Sequence, residues 1–111
     1  MAVQPLLHFN VGDAEVTFMI GAEDDEATVD CADAEIVLAD RSRWSATFLT
    51  LDAISRIMAR WNESGECKSG AYFRVPDLVI SSKPGLANML VAVEDLIDQG
   101  LDGELPRLAA R

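Results

Sequence analysis

Arg43-Trp44-Ser45-Ala46-Thr47-Phe48-Leu49-Thr50-Leu51-Asp52-Ala53-Ile54-Ser55-Arg56-Ile57-Met58-Ala59-Arg60-Trp61 decides the fold, because its hydrophobic period changes halfway along. Trp44, Ala46 and Phe48 alternate with Ser45, Thr47 and Leu49, the period of two that marks a strand. From Thr50 onward Leu51, Ile54, Ile57, Met58 and Trp61 fall on one stripe of a helix instead. Thr50 has the chemistry of an N-cap, Asp52 suits the positive end of the helix, and Gly65 supplies a left-handed stop. Strand therefore passes directly into helix at Thr50.

Upstream of this junction the alternation continues towards the amino terminus. Val3, Pro5, Leu7 and Phe9 alternate with Gln4, Leu6 and His8, a strand ending at Asn10, with Pro5 favouring an edge position. Asn10-Val11-Gly12-Asp13 is turn chemistry. Val16, Phe18 and Ile20 then oppose Glu15, Thr17 and Met19. Beyond Gly21 the run Glu23-Asp24-Asp25-Glu26 reads as a hairpin loop. Ala27, Val29 and Cys31 are expected inward against Thr28 and Asp30, and Ile36 and Leu38 oppose Glu35 and Val37. Connections this short fit antiparallel pairing.

Downstream, Ala71 to Val75 and Asp77 to Ser81 read as strand, broken by Pro76. Leu86, Met89, Leu90, Val93, Leu96 and Ile97 form a second helical stripe that Gly100 ends, and the last residues read as an irregular tail. One apolar stripe per helix lets each cover a single surface. The pattern predicts one α+β domain over residues 1–111: an antiparallel sheet of about five to seven strands with two helices packed on one face.

The charge is unevenly spread. The 111 residues carry a net charge of −10, and residues 1–40 hold ten acids with no Lys or Arg. Residues 41–111 balance nine acids against nine bases. Nucleic acid is excluded as a partner, because phosphate neutralisation needs clustered bases. Anionic membrane surfaces are disfavoured on the same ground. No apolar run approaches the ~20 residues of a membrane span, no export signal is visible at the start, and a cytoplasmic protein is expected.

Chemistry is sparse. His8 is the sole histidine and lies between Leu7 and Phe9, so a structural role outweighs a general base. Cys31 and Cys67 lack metal or redox spacing; Cys31 is expected to be a buried thiol and Cys67 a more accessible one. The seven glycines form no phosphate loop. Glu23 to Glu26 lack the alternation and the glycine of a calcium loop. Neither metal nor cofactor is expected, and no catalytic set emerges.

A non-enzymatic binding protein is therefore expected, contacting a basic protein partner as an inhibitor or immunity-type protein would. Its contact residues would be Glu15, Glu23, Asp24, Asp25, Glu26, Asp30, Glu35 and Val37, on the sheet face turned away from the helices or on the acidic hairpin. Two rival expectations are a self-associating domain forming a homodimer and a small-ligand pocket between sheet and helices. The basic side chains Arg56, Arg60 and Arg74 would have to offset like-charge repulsion in the first of these.

Overall fold

In the computed structural model, which describes residues 6–103 and 105–109, the strand-to-helix junction falls at Thr50. The alternation at Val3 and Pro5 lies outside the described residues. The described elements are β1 (Leu6–Val11), β2 (Ala14–Met19), β3 (Cys31–Val37), β4 (Arg43–Leu49), α1 (Leu51–Ser64), α2 (Glu66–Gly70), β5 (Leu78–Ile80), α3 (Leu86–Gln99) and β6 (Arg107–Leu108). The class is α+β.

The sheet runs β1-β2-β3-β4-β5, and β6 pairs with β4. All described pairings are antiparallel except β4 with β5, which is parallel and needs the crossover through α1 and α2. One edge of β4 is occupied by β3. Its other edge is shared, with Arg43 and Trp44 opposite β6 and Thr47 to Leu49 opposite β5. Thus the tail expected to be irregular contributes a short strand. Ala71 to Val75, expected as strand, are turn and coil.

Register sets the faces. Val16, Phe18, Ala34, Ile36, Trp44, Ala46 and Phe48 are buried, and with Leu86, Met89 and Val93 of α3 they belong to one core. Phe18 holds its centre, with the rings of Phe9 and Phe48 each 5.9 Å away. Among the described residues α3 is the only helix that supplies this core. Leu101 and Leu105, beyond α3, extend it as the chain returns to β4.

α1 forms as its sequence dictates. The Thr50 hydroxyl oxygen accepts from Ala53 N at 3.1 Å, and Gly65, at φ 91°, donates its N–H to Trp61 O at 2.8 Å. Of its stripe Leu51 is exposed and Ile54, Ile57, Met58 and Trp61 are half-buried; Ala53 is the buried residue of the helix, and Trp61 stacks on Phe73 at 5.3 Å. The helical share of the inner cover is therefore unequal. α3 packs into the main core, whereas α1 supplies none of it among the described residues, and Leu49 and Ala53 are buried outside that core.

Turn chemistry closes the β3–β4 end. Trp44 donates its indole N–H to Ser42 Oγ at 2.9 Å, and the Ser42 hydroxyl donates to Asp40 Oδ1 at 2.5 Å. This relay satisfies the one polar atom of a buried tryptophan, as a low-dielectric interior requires. The Ser42 hydroxyl and amide also hold the Asp40 carboxyl below its ordinary pKa.

Candidate functional site

The eight expected contact residues do not form one surface. Glu15 and Val37 face each other across β2 and β3 on the outer face, and Glu35 sits beside Thr17 and Ser45 one row away. Glu35 accepts from Arg43 Nε at 2.8 Å, so its charge is already met within the sheet. Asp30 lies in the loop before β3 rather than on the sheet face, and it is ion-paired with Arg56 of α1. Glu23, Asp24, Asp25 and Glu26 are exposed on the β2–β3 loop, at the opposite end of β2 from Glu15.

That loop has structural work of its own. Asp24 Oδ2 accepts from Gly21 N at 2.7 Å, and Asp25 Oδ1 accepts from Ala27 N at 2.7 Å. The main-chain carbonyl of Glu26 accepts from Leu86 N at 2.8 Å, capping α3, whose N-cap residue Gly85 has no side chain to do so. The Asp24 and Asp25 carboxylates thereby fold the loop. The early acids are spread over both ends of the sheet, with Asp13 and Asp40 in turns at the far end from the loop.

Cys31 corrects another expectation. It is exposed on the outer face, opposite Leu49, because β3 begins at Cys31 and the inward positions are Ala32, Ala34 and Ile36. The alternation read through Ala27 and Val29 slips by one at Asp30. Partial burial pushes the Cys31 thiol above its ordinary pKa, and the nearby Asp33, Asp30 and Asp24 raise it further, against a smaller opposing effect of Arg56. Less thiolate at a given pH means slower attack on a disulfide reagent. In a Cys67→Ser variant, the pH–rate profile for Cys31 should therefore lie above that of a free thiol, and Asp33→Asn should move it partway back. A profile at or below the free-thiol range would contradict this electrostatic environment.

His8 is exposed and shares a hydrogen bond of 2.9 Å with Thr17 Oγ1 through Nδ1. Among the described residues the buried polar side chains are Ser42, Thr50 and Ser81, each engaged in a turn or cap. Among the described residues no three His, Cys, Asp or Glu side chains gather as metal ligands. No helix among them is long and apolar enough to cross a membrane.

The feature that stands out is a groove of about 860 Å³ between the β1–β2 hairpin and α3. Phe9, Val11 and Leu38 line it from the sheet side, and Leu90, Val91 and Ile97 from the helix. Three carboxylates, Asp13, Glu94 and Asp98, border it, and among the described residues no Lys or Arg lines it. Its origin is geometric. Five strands at ~4.8 Å spacing span roughly 19 Å, and a helix of ~10 Å diameter covers about half of that. α3 and the segment carrying Leu101 and Leu105 cover the middle strands and β4. Leu7, Phe9 and Val11 of the edge strand β1 are left half-buried, and Val91 is 67% exposed.

The sequence contains a signal for this rim that a two-part division of the charge conceals. Residues 84–106 hold five acids and no base, while residues 41–83 hold seven bases and four acids. Averaging the two stretches gives a false neutrality. The fold places the base-free β1–β2 hairpin beside the base-free α3, and the groove lies between them. A comparison with known protein families, curated proteins and solved structures finds no match for this chain.

Proposed function

We propose that this chain is a non-enzymatic binding protein for a basic protein partner, which it contacts through the groove between the β1–β2 hairpin and α3. The observation that carries this reading is an apolar floor bordered by Asp13, Glu94 and Asp98, with no Lys or Arg lining it among the described residues. Apolar area supplies affinity, and unpaired carboxylates around it favour a cationic partner and speed encounter. The engagement of the buried hydroxyls in caps and turns supports a role without chemistry. Glu15 lies just beyond the hairpin turn on the opposite face, where its charge adds to the field of this end. An inhibitor or immunity-type role belongs to this class of contact.

The test is comparative capture from lysate at low salt. The wild type should retain basic proteins that elute as salt rises. A variant with Asp13→Lys, Glu94→Lys and Asp98→Lys should lose them, and one with Glu23→Lys, Asp24→Lys and Glu26→Lys should keep them. Equal retention by the groove variant, or retention indifferent to salt, overturns the reading.

A further inference from the structure

We infer that the groove receives an amphipathic α-helix of the partner, lying alongside α3 with its apolar side down and Lys or Arg facing Asp13, Glu94 and Asp98. This rests on the reading of the chain as a binder of a basic protein and adds the form of the contact.

Three observations converge on a helix. First, Ala87, Leu90, Val91, Glu94, Ile97 and Asp98 bound the groove along α3 at steps of three and four, a single stripe. At 1.5 Å per residue that stripe runs ~16 Å, about three turns, long enough to line a companion helix along its length. Second, the sheet side presents Phe9 and Val11, two residues apart and both pointing to the layer that α3 occupies. A strand added at the β1 edge would continue the sheet in its plane and leave this floor open. A second helix beside α3 fills the layer, at the ~8–10 Å interaxial distance of packed helices. Third, the borders are acidic on both sides, so the occupant's flanks must be basic.

A second copy of this chain is a poor occupant. Among the described helices the one bearing arginines, α1, already stacks Trp61 on Phe73 and pairs Arg56 with Asp30. Docking two copies would also bring together two chains of net charge −10 each.

The test uses two labelled synthetic peptides of identical Leu and Lys content and equal length. One places Leu at helical spacing and the other alternates Leu and Lys. Titrated at low salt, the helical peptide should bind about tenfold more tightly than the alternating one and gain helical circular dichroism on binding. Val91→Glu should weaken that binding about tenfold, with the melting temperature lowered by only about 2 °C, because Val91 is largely exposed and the cost is confined to like charge beside Glu94 and Asp95. Tighter binding of the alternating peptide overturns the helix and leaves the binder reading standing. Binding of neither peptide overturns both. Equal binding of both peptides, indifferent to Val91→Glu, reduces the contact to unspecific charge attraction and also overturns the inference. Light scattering on the free protein covers the remaining occupant: a dimer abolished by Val91→Glu would put a second copy in the groove instead.

Discussion

Gly85→Ala is expected to destabilise the protein by about 2–4 kcal/mol, measured by urea unfolding. Gly85 combines two constraints. Its φ of 100° is a left-handed conformation that side chains strain against, and a Cβ there would come within 2.7 Å of the Ala27 carbonyl oxygen. That oxygen is backbone and cannot swing aside. The close approach exists because Gly85 N donates to Val29 O at 2.7 Å and Leu86 N to Glu26 O at 2.8 Å, which docks the β2–β3 loop on the start of α3. Gly65→Ala is the matched control, with φ 91° and open space around its Cβ. It should cost only the conformational part, about 1 kcal/mol. Equal losses in the two variants would mean that the loop is not docked as described.

Asp98→Lys is expected to act in opposite directions on stability and on binding. Asp98 lies in the last turn of α3, at the negative end of the helix dipole, and four residues after the like charge of Glu94. No basic residue occupies that turn. Lysine there exchanges an unfavourable dipole contact for a favourable one and turns the repulsion with Glu94 into an i,i+4 attraction. The free protein should gain about 1 kcal/mol, roughly 4 °C in Tm. Partner affinity should fall about tenfold, with a shallower salt dependence, since one border charge is reversed. A position that breaks a local rule against the chain's own stability is the kind that function maintains. Loss of stability together with binding would make Asp98 a folding residue and remove this argument.

The parts of the fold that sequence exposes are those where side-chain pattern and main-chain chemistry agree. The switch of period at Thr50, its cap on Ala53 N and the stop at Gly65 are all local, so each is visible in a few residues. β2 and β4 show their faces because large apolar residues, Val16, Phe18, Trp44 and Phe48, alternate with polar ones. β3 conceals its phase because its inward residues include Ala32 and Ala34, too small to dominate an alternation that Val29 of the preceding loop and the outward Cys31 imitate. The parallel β4–β5 pair depends on where a crossover returns, which no local pattern encodes.

The groove was concealed for a different reason. Phe9, Val11, Leu90, Val91 and Ile97 read as ordinary strand and helix positions, and their incomplete cover follows from the count of helices over the inner face. α1 carries an apolar stripe adequate for a second covering helix, yet it contributes nothing to the main core among the described residues. The pairing of Asp30 with Arg56, and of Glu35 with Arg43, is equally non-local. Both ion pairs take charge out of the acidic surface that composition suggests.

Amide hydrogen exchange of the protein with and without a captured basic partner addresses the site most directly. Slowed exchange should centre on β1, the β1–β2 turn and residues 90–98 of α3. Protection centred instead on residues 21–30, or on the outer sheet face around Glu15, Glu35 and Val37, would place the partner elsewhere and contradict the groove as its seat.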